Sequence, residues 1–333
     1  GDHLDLTSFP TRRSSDLLLP FDRYLELERS EKSMGFEDKA AEMFSGWKGV
    51  GEFVTPAGVA DLMIDLAAPK AGERIYNPCS GFGTLLVRTA KRVILPSLRE
   101  GSPAAAHTVK TSTFCGIELN PRLCLVTLAR LMLAGITRPR LELGDVLERP
   151  MPEAGQNGGF DCILCNPPIG SSALPDQTAR FPIRSRSAET LILQHILAHL
   201  RPGGRAVVLV PEAFLYRQGA EELLRKRLVQ DYRLEAVVSL PAGGIHGLGE
   251  IRTGLLVIQR MEPAKSVAFI QAAATQGILW GYKEAGGKNA LLAGLVGLIK
   301  ARAAQEGGKA GVLREEPPPC GDLAKLQSRG NWE

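Results

Sequence analysis

Short apolar runs alternate with amphipathic stretches from Ile75 onward. Apolar runs bounded by turn residues are typical of buried strands, and apolar residues spaced every three or four positions are typical of helices. The predicted strands cover residues 74–77, 113–118, 140–143, 160–165, 205–210, 234–240 and 253–259. The predicted helices cover residues 55–66, 84–95, 121–134, 188–200 and 218–230. Strands that alternate with helices predict an α/β fold with a mostly parallel sheet.

The rest of the chain has a different character, and we divide the sequence into four parts. Residues 1–17 lack periodicity and resemble translated adapter sequence, so we expect no fixed structure there. Residues 18–47 are interpreted as the remnant of a helical N-terminal region, and residues 48–262 as the main α/β domain. Residues 263–333 form a predicted extension with an edge strand at 267–270, a helix at 289–302 and a Pro-containing linker. We expect a fragment, incomplete at both ends.

Composition narrows the possible classes of protein. The 333 residues are 44% hydrophobic and 23% charged with a net charge of +4, which is ordinary for a globular protein and excludes a disordered chain. Apolar stretches are too short for a membrane span, and no secretory signal precedes the fold. Five of the six cysteines lie in apolar segments, as expected of reduced thiols. We predict a cytoplasmic protein that needs neither a membrane nor a metal.

The first chemical motif is the sequence Asn-Pro-Cys-Ser-Gly-Phe-Gly-Thr at residues 77–84, where the first strand passes into its helix. Glycines at the carboxyl edge of a sheet let a ligand approach the backbone. Leu86 occupies the position of the third small residue in the dinucleotide fingerprint, so a nicotinamide or flavin cofactor is poorly supported. A plain tight turn explains this motif equally well.

Two acidic residues follow the next two strands. Glu118, in the sequence Gly-Ile-Glu-Leu-Asn-Pro, ends the second strand, and Asp145 follows the third. A carboxylate at the first position can accept hydrogen bonds from ribose hydroxyls, and one at the second can accept from an adenine amino group. The alternatives are a helix-capping acid and a surface turn.

The most specific motif is Asn166-Pro167-Pro168-Ile169, which ends the apolar fourth strand. Adjacent prolines fix the backbone and remove two donors. The Asn166 oxygen and the Pro167 carbonyl can both accept from one amino group. Two such acceptors suit an exocyclic nitrogen whose lone pair must turn from an aromatic ring toward an electrophile. An ordinary strand-ending turn is the alternative.

In this order the four motifs resemble the amino-methyltransferases that act on adenine N6 in DNA, above all the modification subunits of type I restriction–modification systems. The resemblance covers about residues 50–270. It implies a Rossmann-like sheet with an antiparallel last strand, S-adenosyl-L-methionine as methyl donor and a flipped adenine of double-stranded DNA as acceptor. It also implies a specificity subunit as partner and leaves a restriction subunit open. Upstream, the sequence at residues 52–56 resembles the family segment that contacts the donor's methionine part.

Site residues follow from this resemblance. Those implied in catalysis are Asn166, Pro167, Pro168 and Ile169. Those implied in donor binding are Glu52, Phe53, Thr55, Pro56, Asn77, Cys79, Ser80, Gly81, Gly83, Glu118 and Asp145. Candidates for DNA phosphate contact are Arg180, Arg184 and Arg186, although a merely solvated loop explains these arginines equally well.

The chain departs from the family at three positions, and the first, Thr84 in place of a frequent Gly, is tolerable. Asn77 stands where the family usually has Asp, so a hydrogen bond to the donor's ammonium is kept but the charge is lost. Ile169 stands where the family has an aromatic residue that stacks on the flipped base. Because of these last two departures, a donor-binding scaffold with weak catalysis stays open as an alternative. Glutamine methylation in a protein also stays open, because similar Asn-Pro-Pro motifs serve that chemistry.

Two other patterns are set aside. Cys162 and Cys165 are three apart, but strand alternation puts them on opposite faces and no second pair follows, which disfavours a zinc site. His195 and His199 lack the glutamate of a zinc-protease helix, so we interpret them as a pair on one helix face.

Overall fold

The computed structural model describes residues 54–94, 113–149, 159–240, 251–263, 267–271, 274–275 and 278–279. The predictions for residues 1–17, 18–47 and 289–302, and for the linker, lie outside these ranges. The described strands are β1 (Ile75–Asn77), β2 (Phe114–Glu118), β3 (Arg140–Leu143), β4 (Phe160–Cys165), β5 (Leu200–Pro211), β6 (Arg233–Ser239), β7 (Thr253–Gln259), β8 (Ala268–Gln271), β9 (Ala274–Thr275) and β10 (Ile278–Leu279). The described α-helices are α1 (Ala57–Ala67), α2 (Thr84–Thr89), α3 (Pro121–Leu133), α4 (Pro175–Thr178), α5 (Ala188–His199) and α6 (Ala220–Asp231).

Eight strands form one sheet in the order β3-β2-β1-β4-β5-β7-β6-β8. Strands β1 to β5 pair in parallel, whereas β7 runs antiparallel between β5 and β6. The predicted mostly parallel α/β sheet and its antiparallel last strand are confirmed. The chain winds outward from β1 to β3 and then restarts at β4 on the other side of β1. Such a switch point opens a crevice at the carboxyl ends of the strands.

Hydrophobic clusters cover both faces of the sheet. Helices α1, α2 and α3 pack on one face, and α5 and α6 pack on the other. Successive side chains of β4 point to opposite faces of the sheet, so this strand contributes to both clusters. Cys162 and Leu164 belong to the first cluster, and Ile163 and Cys165 belong to the second. The two cysteines therefore lie on opposite faces, as predicted. Because every β4 side chain after Phe160 is buried, this strand fixes the position of the Asn-Pro-Pro motif that follows it.

Several helix and strand boundaries differ from the predictions. The helix predicted over residues 84–95 is an α-helix only to Thr89 and continues as a π-helical turn over Ala90–Ile94. The helix predicted over residues 188–200 ends at His199, because Leu200 already pairs with Phe160 as the first residue of β5. Pairing with β4 overrides the local helix preference at Leu200.

A buried aromatic cluster lies between β1 and α5. His195 Nε2 is 3.0 Å from the Tyr76 hydroxyl, and its ring stacks on His199 at 3.8 Å between centroids. Tyr76 in turn stacks on Phe160 at 4.1 Å. The predicted pairing of the two histidines on one helix face is confirmed, and it serves packing.

Acid should destabilise the fold through this cluster. Burial, followed by the nearness of His199, holds the pKa of His195 well below its ordinary value of 6.5. An unfolded chain takes up this proton below about pH 6.5 while the folded chain does not, so stability is complete above that pH and falls below it. We expect a loss on the order of 1 kcal/mol at pH 5.5 from His195.

Denaturant unfolding of the wild type and of His195→Phe between pH 7.5 and 5.5 checks this expectation. The variant should show a shallower dependence of its unfolding free energy on pH, whatever its absolute stability. Equal pH dependence in both proteins would contradict the assignment.

Candidate active site

Three polar side chains stand at the carboxyl ends of three adjacent strands. Asn77 ends β1, Glu118 ends β2, and Asn166 directly follows β4. Strand β1 lies between the other two, and adjacent strands are about 4.8 Å apart. All three therefore border the crevice at the switch point, as the order of the motifs predicted.

The glycine loop after β1 has a backbone that few other residues would adopt. Gly81 and Gly83 have φ values of 52° and 73°, and a Cβ on Gly83 would come within 2.6 Å of Thr127 Cγ2. Helix α3 holds the loop from beneath, since the Thr127 hydroxyl donates to the Gly81 carbonyl at 2.7 Å and Arg130 Nη1 donates to the Phe82 carbonyl at 2.7 Å. The absence of a side chain at Gly83 therefore lets α3 approach the loop closely, whereas the space beside Gly81 is open.

Glu118 organises the same loop from the end of β2. Its carboxylate accepts from the Gly81 N–H at 2.6 Å and from the Asn120 N–H at 2.8 Å. Burial raises the pKa of Glu118, although the N–H donors of Asn120 and Gly81 act in the opposite direction. A half-buried carboxylate with remaining lone pairs fits the predicted acceptor of ribose hydroxyls.

Asn77, Cys79 and Ser80 are tied into the turn. The Asn77 Oδ1 accepts from the Cys79 N–H at 3.0 Å, and the Ser80 hydroxyl donates to the Asn77 carbonyl at 3.1 Å. Asn77 is only 1% exposed. A hydrogen bond with Cys165, together with burial, raises the pKa of the Cys79 thiol well above its usual range, so the thiol stays protonated. Cys79 therefore contributes to the site through its backbone and its packing.

Asp145 follows β3 and is held at both carboxylate oxygens. Its Oδ1 accepts from the Leu147 N–H at 2.8 Å, which caps the 3₁₀ turn Val146–Glu148. Its Oδ2 accepts from Gln177 Nε2 at 2.7 Å. Asp145 thus has the turn role that the sequence offered as one alternative, and its acceptance of an adenine amino group stays a prediction.

The Asn-Pro-Pro corner leaves β4 next to the start of α1. Asn166 Nδ2 donates to the Thr55 hydroxyl oxygen at 3.0 Å, and both residues are buried. Pro167 is buried, and Pro168 is half-buried. Ile169 is 7% exposed and packs in the hydrophobic cluster shared with α1, rather than presenting an open face. Thr55 and Asn166, which come from opposite ends of the predicted site, are in direct contact.

A closed loop follows the corner, and we call residues 171–188 the 171–188 loop. Ser172 and Ser187 form a β-bridge at its base, and Gln194 binds both the N–H and the carbonyl of Ile183, at 2.9 and 2.7 Å. The sequence predicted no element here, yet the loop contains α4.

The three arginines suggested for DNA contact all lie in the 171–188 loop and all are exposed. Arg180 donates from Nη1 to the Glu148 carbonyl at 2.8 Å. Their contact with phosphate stays a prediction.

Other predicted features can be placed more briefly. Pro56 is the N-cap of α1, one position before its predicted place in the first turn. Glu52 and Phe53 lie outside the described residues. Within the described ranges, no group of three or more His, Cys, Asp or Glu side chains could hold a metal ion, and no helix is long and apolar enough to span a membrane. Sequence reasoning missed Gln177, because only the folding of the loop brings it to Asp145.

The geometry now allows comparison with known proteins. Residues 41–280 match the N-6 DNA Methylase family. The chain belongs to this family. It is 28% identical over 224 residues to the methylase subunit of the type I restriction enzyme EcoEI from Escherichia coli, covering 66% of this chain and 45% of that protein. It is 25% identical over 288 residues to the MpnII methylase subunit from Mycoplasma pneumoniae, covering 78% and 50%.

Solved structures of the family give the same result. A modification subunit assigned to a type I restriction enzyme of Vibrio vulnificus YJ016 aligns with a TM-score of 0.66 and 25% identity, over 81% of this chain and 55% of that one. The EcoKI M protein aligns with a TM-score of 0.59 and 22% identity, over 70% and 50%, which shows a shared fold. The N-6 DNA methylase chain described here spans about half the length of the curated relatives it matches.

Proposed function

We propose that this chain carries the catalytic domain of an adenine-N6 DNA methyltransferase that uses S-adenosyl-L-methionine, within residues 48–262. The observation that carries the proposal is the Asn166-Pro167 corner one strand away from the glycine loop, with Glu118 on the far side of β1. Membership of the N-6 DNA methylase family supports adenine in DNA over glutamine in a protein as the acceptor. The cytoplasmic location stays a prediction.

The residues present fit the methyl donor. Gly81 leaves the loop backbone uncovered, because nothing lies within 4 Å of the place that its Cβ would take, whereas Gly83 packs against Thr127. Glu118 and Asp145 offer carboxylate oxygens, and Asn77 is buried beneath the loop. We assign the ribose hydroxyls to Glu118 and the adenine amino group to Asp145. S-adenosyl-L-methionine supplies an electrophilic methyl group when it is bound.

The corner would hold the target nitrogen. The Asn166 oxygen and the Pro167 carbonyl accept the two hydrogens of the adenine amino group, which turns the nitrogen lone pair out of the ring plane. Thr55 supports this role because its hydroxyl oxygen accepts from Asn166 Nδ2, so the amide oxygen of Asn166 points to the other side. Positioning and electrostatics supply the catalysis, and the extra proton leaves the nitrogen once the methyl group has been transferred.

The partners are also proposed from the family. Relatives of the chain are methylase subunits of type I restriction enzymes. We propose that the chain acts on double-stranded DNA, flips the target adenine out of the duplex and works with a specificity subunit that selects the sequence. The exposed Arg180, Arg184 and Arg186 of the 171–188 loop are the proposed phosphate contacts.

Two measurements test this function. Calorimetry should detect binding of S-adenosylmethionine to the chain, and tritiated methyl transfer to unmethylated DNA should appear when the specificity subunit is added. Donor binding without transfer to any DNA in the reconstituted complex would favour the scaffold alternative. Absence of donor binding would reject the enzyme altogether.

Restoring the family's carboxylate should strengthen donor binding. In Asn77→Asp the new charge can pair with the ammonium group of the donor, and we expect about tenfold tighter binding. The free variant should also unfold more easily, since Asn77 is 1% exposed and a lone buried carboxylate is costly. Calorimetry and thermal unfolding measure the two effects.

Asn120→Asp is the matched control for this prediction. Asn120 caps α3, accepting from the Arg122 N–H at 2.9 Å, and Asp caps a helix equally well. The Asn120→Asp variant adds the same charge near the same crevice, but its donor affinity should change little. Equal effects of the two variants would point to a general charge effect and contradict the pairing at residue 77.

A further inference from the structure

The side chain of Gln177 joins the 171–188 loop to Asp145. Its Nε2 donates to Asp145 Oδ2 at 2.7 Å, and its Oε1 accepts from the Leu174 N–H at 2.9 Å. A backbone N–H can only donate and an ionised carboxylate can only accept, so the amide has one orientation that satisfies both partners. Gln177 is 8% exposed, which shields both bonds from water.

The bond fixes the carboxylate that the donor would use. With Leu147 N–H on Oδ1 and Gln177 on Oδ2, the plane of the Asp145 carboxylate is set from two sides. Each carboxylate oxygen has a second lone pair, so the group can still accept from an amino group in the crevice. A charge-assisted bond of this kind is stronger than one between neutral groups.

The other end of the connection is the Asn-Pro-Pro corner. The 171–188 loop begins two residues after Ile169, and it is held by its own β-bridge and by Gln194. A second contact runs parallel to the first, since Arg180 binds the carbonyl of Glu148 in the same 3₁₀ turn that Asp145 caps. Two side-chain contacts therefore join the Asp145 turn to the loop that follows the corner.

We propose that Gln177 is a positioning residue that couples the donor's adenine subsite to the target-base side of the crevice. It orients the Asp145 carboxylate for the donor, and donor binding at Asp145 in return stabilises the 171–188 loop next to Asn166. Such coupling is reciprocal: if the ordered loop strengthens donor binding, donor binding must stabilise the ordered loop by the same free energy. This inference rests on the proposed function, since it takes Asp145 as a donor contact.

Two substitutions at this position separate positioning from simple structural support. Gln177→Met has similar length and loses both hydrogen bonds. Gln177→Glu keeps an oxygen for the Leu174 N–H, so the start of α4 is preserved, but it sets a second carboxylate against Asp145. If Gln177 only supported the start of α4, Glu would replace it, because Glu keeps the bond to the Leu174 N–H. If Gln177 positions Asp145, Glu cannot replace it. S-adenosylmethionine affinity should then fall about tenfold in Gln177→Met and further in Gln177→Glu.

The pH profile gives a sharper readout. A protonated Glu at this position can donate to Asp145, so the donor affinity of Gln177→Glu should recover as the pH is lowered, whereas that of Gln177→Met should not. Asp176→Asn is the matched control, because Asp176 is exposed in the same short helix and contacts the turn in no described bond. Its donor affinity should equal that of the wild type.

Calorimetry with S-adenosylmethionine and hydrogen exchange of the full chain decide the question. In the wild type, donor should slow exchange of the Leu174 amide, and this protection should disappear in Gln177→Met. Wild-type donor affinity in both Gln177 variants would overturn the inference while leaving the proposed function intact. Failure of the wild-type chain to bind donor would instead overturn the proposed function, and this inference with it.

Discussion

Asn166→Ala should lower the rate of methyl transfer by about a thousandfold while leaving donor binding close to that of the wild type. Removing one preorganised partner of the reacting group typically costs two to three orders of magnitude, that is about 10²–10³ in rate. The substitution removes the oxygen that would accept from the amino group, together with the amide nitrogen that binds Thr55. The proposed ribose contact, Glu118, and the glycine loop follow other strands of the sheet than Asn166 does, so donor affinity should change little.

Asn166→Asp provides the conservative comparison. Aspartate keeps an acceptor oxygen toward the target, and the Thr55 hydroxyl can reverse its role and donate to the second oxygen. Most of the lost rate should therefore return. Single-turnover transfer with saturating donor measures both variants, and wild-type activity in Asn166→Ala would rule out the corner as the catalytic site.

Glu118→Ala should have the largest effect on donor binding. The carboxylate accepts from the Gly81 and Asn120 N–H groups, so its loss removes the proposed ribose contact and also leaves two backbone donors without this partner. Each lost hydrogen bond to a charged group is worth about 1.5–3 kcal/mol. We expect the affinity for S-adenosylmethionine to fall at least about a hundredfold.

Glu142→Ala is the matched control for Glu118→Ala. Glu142 lies on the neighbouring strand β3, faces solvent and pairs with Arg149 at 2.7 Å. Exposed ion pairs contribute little to stability, so this variant should bind donor normally. Titration calorimetry of both variants gives the comparison, and similar affinities in the two would remove Glu118 from the donor site.

Much of the fold could be predicted because each strand is a short apolar run bounded by turn residues, a pattern that is visible in the local sequence. The run at residues 160–165 is apolar except for Asp161 and ends in Asn-Pro-Pro, and β4 begins and ends at the predicted residues. Asn77, Glu118 and Asn166 each follow or end a predicted parallel strand. Because the carboxyl ends of neighbouring parallel strands share one edge of the sheet, the sequence also predicted that these three side chains lie at the same edge.

The remaining features depend on contacts between distant residues, which have no local signature. Nothing near Gln177 in the sequence indicates a carboxylate 32 positions away, and nothing near Thr55 indicates Asn166. The burial of Ile169 could not be predicted either, because a β-branched apolar residue after two prolines fits a ligand surface as well as it fits a core. Only the packing of α1 against the sheet places it in the hydrophobic cluster.

The bond between Thr55 and Asn166 has a practical consequence for anyone who wants a minimal active fragment. Thr55 precedes α1 and is separated by 111 positions from the residue it supports. An expression boundary chosen at β1 would remove α1, which covers one face of the sheet, and would also remove the Thr55 hydroxyl that holds the Asn166 amide. Trimming should therefore stop upstream of Thr55, and inactivity of a shorter piece would say nothing about the chemistry of the intact protein.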